Sequence, residues 1–181
     1  MNLANRLTLA RIFLVPIFMM ILISKIPYGN FIAAAVFILA ASTDGLDGYI
    51  ARKKNQVTRL GKFMDPLADK LLVSAALISL VELQEIPAWV AVIIIGREFA
   101  VTGLRAVAAA EGIVVAASKL GKYKTVFQII AISALFLEDY PFSLLKIPFG
   151  KTVMAVALGF TIWSGIDYFL KTKDILRVGL K

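Results

Sequence analysis

Histidine and cysteine are both missing from this 181-residue chain. Without cysteine there is no disulfide framework and no thiolate chemistry. Without histidine the usual His/Cys zinc site is excluded, and a general base must be Asp, Glu, Lys or Tyr. Acidic residues are scarce as well: twelve, against twenty Lys and Arg, for a formal net charge of +8. Basic patches interleaved with aromatics are absent, so that charge does not point to nucleic acid. No low-complexity stretch and no repeat at the roughly 20–50-residue periods of solenoids interrupts the chain.

What the chain has in excess is apolar sequence. Hydrophobic residues make up 60% of it and the mean hydropathy is +0.84. Soluble domains sit near about 45–50% apolar, so the composition predicts an integral membrane protein. A bilayer core takes about 20 apolar residues per helix. On that ruler the chain is all-α with six transmembrane helices, near 7–25, 30–52, 61–83, 86–108, 122–140 and 151–171. The first span is read as a retained helix rather than a signal peptide, because no small-residue cleavage site follows it. Residues 1–181 are then a single membrane domain, with no room for a separate soluble one. Fifteen Lys and Arg fall at the N-terminus, in the 52–62 and 105–124 segments and in the tail, against three in the alternate loops. That bias predicts both termini in the cytoplasm.

Within this apolar frame, four of the twelve acidic residues crowd into positions 44–69. A carboxylate inside a bilayer costs roughly 2.5–3.5 kcal/mol even on lenient insertion scales, so a cluster calls for a compensating charge. Asp44, Asp47, Gly48 and Ala51 recur at i, i+3, i+4 and i+7, one face at the cytoplasmic end of the second helix. Gly61, Asp65 and Asp69 recur at i, i+4 and i+8 at the start of the third. A short connection makes the two helices antiparallel neighbours. Taken singly, Asp44 or Asp65 also suits a helix cap. Together, four carboxylates form an oxygen-rich site suited to a hard cation, Mg2+ or Mn2+, with room for two ions. Gly48 and Gly61 let a bulky ligand approach the backbone.

The full string is Asp44-x2-Asp47-Gly48-x2-Ala51-Arg52-x8-Gly61-x3-Asp65-x3-Asp69. It resembles the signature of the CDP-alcohol phosphotransferase family at every fixed position. Asn5-Arg6-Leu7-Thr8, Asp65-Pro66-Leu67-Ala68-Asp69-Lys70, Gly96-Arg97-Glu98-Phe99 and Gly121-Lys122-x-Lys124-Thr125 are similar to segments of bacterial members acting on glycerol 3-phosphate. The resemblance implies transfer of the phosphatidyl group from CDP-diacylglycerol to an acceptor alcohol, with release of CMP. It implies that Asp44, Asp47, Asp65 and Asp69 hold divalent metal and that Asp69 is the catalytic base. Arg52 would pair with the nucleotide phosphate, Gly48, Ala51 and Gly61 would admit the cytidine, and Thr58 and Asn5 are weaker nucleotide-pocket candidates. A homodimer among membrane lipids is also implied.

The acceptor rests on different residues. Arg97 and Arg105 lie two turns apart on the fourth helix, and Lys122 and Lys124 open the fifth; Arg97, Arg105 and Lys122 are the first choices, with Lys124 a close competitor. Arginine forks suit a phosphate dianion, so this basic cluster predicts glycerol 3-phosphate as acceptor. Another acceptor, inositol phosphate or phosphatidylglycerol, fits the same family. From a different class, a cation transporter or channel would also place acids in a membrane, but spread through its depth. A structural membrane subunit has no use for them.

Overall fold

A computed structural model describes residues 3–53, 59–110, 112, 119–140 and 142–178, with side chains described for 7–43, 64, 66–109, 112, 120–140 and 142–170. The described residues are helical with no strand: α1 (Leu3–Ile23), α2 (Gly29–Lys53), α3 (Arg59–Glu82), α4 (Ala88–Ala110), α5 (Lys119–Phe136) and α6 (Phe149–Val178), with one 3-10 turn at Phe142–Leu145. The six expected helices are therefore present. α5 packs most extensively on α6, and α1 on α2 and α3, with α4 lying against α6.

Long apolar runs make these helices, and residues in the left-handed region stop them. Gln84 (φ 60°) and Glu138 (φ 54°) follow the last turns of α3 and α5. The amides just beyond, of Glu85 and Asp139, reach back to the carbonyls of Leu80 and Ala134, both at 2.9 Å. That 6→1 closure satisfies carbonyls the helix would leave unpaired. It also explains why α5 ends at Phe136 while apolar sequence was expected to run to 140. Asp139 then turns to the next element: its Oδ1 accepts the Gly150 amide at 2.7 Å, satisfying a donor in the first turn of α6.

Small residues let the helices close on one another. Ala33, Ala34, Ala40, Ala76, Ala131 and Ala157 are fully buried, as in helix pairs packed without large side chains between them. Phe18, Phe37 and Phe136 fill the centre, with Phe18 and Phe136 edge to face at 5.4 Å. Large apolar side chains such as Phe13, Met20, Val92, Trp163 and Leu170 face outward. Among the described residues, one stretch is long and apolar enough by itself to cross a membrane, Phe149–Leu170 with hydropathy 1.6; Leu7–Ile23 and Gly29–Thr43 are shorter apolar helices. The other helices carry ionisable residues within their apolar runs, including Asp69 and Lys70 in α3 and Arg97, Glu98 and Arg105 in α4.

Candidate active site

The aspartates fall where the fold brings two helix ends together. Asp44 and Asp47 lie in the last turns of α2, and Asp65 and Asp69 in the first turns of α3, which packs on α2. Asp69 is the member of the set whose side chain is described, and it is half-buried. The side chains of Asn5, Asp44, Asp47, Gly48, Ala51, Arg52, Gly61 and Asp65, and Thr58 altogether, lie outside the described residues. Among the described residues no three acidic side chains gather. The set contains oxygen donors only, which fits a hard divalent cation and no soft one.

A polar cluster built by α4, α5 and α6 lies within electrostatic reach of Asp69 through Lys124. Arg97 projects from the middle of α4 with its side chain 11% exposed. Its Nη2 donates to Ser164 Oγ at 2.9 Å, its Nη1 lies 3.5 Å from Glu98 Oε1, and its guanidinium carbon is 5.7 Å from the Tyr168 ring centroid. The last distance is within cation–π reach. Arg97 Nε is buried without a hydrogen-bond acceptor. Gly165 makes room for the stem of Arg97, since a Cβ there would stand 3.2 Å from Arg97 Cγ.

The second cation is Lys124, in the second turn of α5 and 4% exposed. Its Nζ donates to the same Glu98 oxygen that Arg97 approaches. Lys124 also lies within the electrostatic reach of Arg97, Asp69 and Lys70, so the basic cluster and the aspartate end of α3 share one region. Behind it Gln128 Nε2 donates to Thr161 Oγ1 at 3.2 Å, and Ser164 Oγ donates to the Thr161 carbonyl at 3.1 Å. Buried polar groups of this kind hold one arrangement because each finds a partner.

The structure brings Arg97 and Lys124 together and leaves Arg105 and Lys122 exposed, so of the three first choices only Arg97 stands in the buried cluster and Lys124 takes the place expected for Lys122. The inward side of α5 explains the choice. Lys124, Gln128, Ala131 and Leu135 form its buried stripe, and Lys122, two residues before Lys124, points elsewhere.

One buried cation, Arg11, was not among the site residues expected from sequence. Arg11 is 1% exposed, and its Nε donates to the Ala40 carbonyl at 3.1 Å, one turn before Asp44. Its spacing carried the signal: Thr8, Arg11, Val15 and Phe18 are all buried and recur on one face of α1. A cavity of about 730 Å³ is lined by Met19, Lys25, Asn30, Ser79, Glu82 and Glu138 among others. It lies at the opposite end of the bundle, by the α1–α2 turn and the end of α3, and is remote from the aspartates.

These features define an all-helical protein whose acidic motif and buried cations converge at one end. The chain belongs to the CDP-alcohol phosphatidyltransferase family, whose profile matches residues 1–163. Among its relatives is a protein of Bacillus subtilis named CDP-diacylglycerol–glycerol-3-phosphate 3-phosphatidyltransferase, 53% identical over 188 residues covering 97% of each chain. Proteins with the same name in Rickettsia bellii (38% identical, covering 95% of this chain and 96% of that one) and Haemophilus influenzae (37%, covering 97% and 95%) are also similar. The family carries out metal-dependent transfer in membrane phospholipid synthesis.

Proposed function

We propose that this protein transfers the phosphatidyl group of CDP-diacylglycerol to glycerol 3-phosphate, forming phosphatidylglycerophosphate and CMP. The observation that carries the reading is the convergence of Asp69 with the buried Arg97–Glu98–Lys124 cluster, in a chain similar over nearly its whole length to proteins named for that reaction. Asp69 takes the proton from the acceptor hydroxyl. The hydroxyl oxygen forms a new bond to the β-phosphorus of the donor as the bond to CMP breaks. Arg97 and Lys124 hold the acceptor's phosphate, so that its free hydroxyl lies toward Asp69. Arg105 and Lys122, exposed nearby in sequence, draw the anion in from solvent.

Asp44, Asp47, Asp65 and Asp69 would hold one or two Mg2+ or Mn2+ ions, and the chemistry supplied when these are bound is neutralisation of charge on the pyrophosphate. Arg52 pairs with the nucleotide phosphate, Gly48, Ala51 and Gly61 leave space for the cytidine, and Thr58 and Asn5 border that pocket. Arg11 supports the same end by tying α1 to α2 at Ala40, one turn before Asp44.

The six helices cross the bacterial inner membrane as one domain, both termini in the cytoplasm, and the protein works as a homodimer. Outward-facing Phe, Trp, Leu and Val side chains support a lipid environment. The test of function is CMP release by purified protein given CDP-diacylglycerol with glycerol 3-phosphate, inositol phosphate or phosphatidylglycerol. Preference for either of the latter two would overturn the acceptor assignment.

A further inference from the structure

Two buried cations and one carboxylate oxygen meet in this site, and the stoichiometry is informative. Lys124 Nζ and Arg97 Nη1 both address Glu98 Oε1. Two like charges this close and this desolvated repel each other unless an anion stands between them. Glu98 supplies that anion from within the chain. Arg97 nevertheless keeps one donor in reserve, because its buried Nε has no acceptor.

We infer that Glu98 is an internal place-holder for the acceptor's phosphate and thereby sets which acceptors the site admits. This rests on the proposed role of Arg97 and Lys124 in binding a phosphorylated acceptor. A phosphate dianion brings more charge than one carboxylate and more oxygens, enough to satisfy Lys124, Arg97 Nη1 and Arg97 Nε together. It therefore displaces the Glu98 oxygen. A neutral alcohol cannot, so the cations stay closed on Glu98 and the alcohol finds no anchor. Selectivity for a phosphorylated acceptor then comes from competition inside the protein as well as from attraction. Glu98 acts through its neighbours and is a positioning residue.

The experiment compares wild type with Glu98→Gln and Glu98→Asp, using glycerol 3-phosphate as substrate and inorganic phosphate as probe. Removing one competing charge-assisted contact in Glu98→Gln lowers both the KM for glycerol 3-phosphate and the inhibition constant of phosphate by about tenfold. Glu98→Asp keeps the charge but draws it back by one methylene, so both constants fall by a smaller factor, about threefold. A role confined to holding the fold predicts lower thermal stability with both constants unchanged or raised, and that result in either variant overturns the inference. Phosphate-induced thermal stabilisation, measured without CDP-diacylglycerol, reads the same site independently of turnover. Should glycerol 3-phosphate give no CMP release in wild type, the reaction assignment fails, while the stronger phosphate response of the variants still tests Glu98.

Discussion

Arg97 is anchored to Ser164 across the α4–α6 interface, Nη2 to Oγ at 2.9 Å. The bond fixes the plane of a guanidinium that also faces Glu98, the Tyr168 ring and Gly165. A planar fork held this way presents its remaining edge in one direction. Lysine at the same position would keep the charge and lose the fork. Arg97→Lys is therefore expected to raise the KM for glycerol 3-phosphate about tenfold, with a much smaller change in kcat. Steady-state CMP release over a range of acceptor concentrations checks it, and a loss confined to kcat would remove Arg97 from acceptor binding.

Ser164→Ala tests the anchor rather than the cation. Losing a hydrogen bond to a charged group is worth about 1.5–3 kcal/mol when the group stays buried. Part of that falls on stability and part on acceptor affinity, because Arg97 is freed to turn. The expected outcome is a lower Tm in detergent together with a raised acceptor KM and an unchanged KM for CDP-diacylglycerol. An equal rise in both KM values would mean that the bundle as a whole had shifted.

Asp69 occupies the first turns of α3, half-buried and within electrostatic reach of Lys124. Removing its ability to accept a proton should be costly, since the chain has no histidine to take over. Asp69→Asn is expected to lower kcat by about 10²–10⁴-fold, with binding of CDP-diacylglycerol largely kept. Equilibrium binding of the nucleotide lipid beside single-turnover CMP release separates the two effects. Near-normal turnover would show that another group takes the proton.

Metal removal probes the acidic set as a whole. Dialysis against a chelator should reduce CMP release by at least about 100-fold, consistent with several kcal/mol of charge stabilisation at the phosphates. Added Mg2+ or Mn2+ should restore it. Undiminished turnover in metal-free protein would leave the four aspartates without the role given to them.

How far these features could be read from sequence depends on the range of the interaction. Long, largely apolar stretches locate the six described helices, because hydrophobic patterning is local. The acidic string places Asp44 and Asp47 on one helix end and Asp65 and Asp69 on the next for the same reason. The choice between Lys122 and Lys124 was not legible, since it turns on which side of α5 meets α3 and α6. That orientation is decided by Gln128, Ala131 and Leu135 packing inward, well after the lysines in sequence. Glu98 was likewise visible only as a neighbour of Arg97. Its link to Lys124 spans 26 residues and exists only once α4 and α5 have packed on α6.

The remaining prediction concerns stability at the end remote from the aspartates. Gly150 donates its amide to Asp139 Oδ1 at 2.7 Å. A Cβ at Gly150 would stand 2.6 Å from that oxygen and 2.8 Å from two carbons of Leu135. Leu135 is buried in the core and cannot simply swing away, and moving Asp139 would free an amide in the first turn of α6. Helix propensity alone favours alanine over glycine by about 1 kcal/mol, so an open site would be stabilised by the change. Here the clash outweighs propensity, and Gly150→Ala is expected to destabilise the protein by about 1–3 kcal/mol. Thermal unfolding in detergent, with acceptor KM measured alongside, distinguishes the effect from any change at the active site. A Tm at or above that of wild type would show that Asp139 and Leu135 yield more easily than their packing implies.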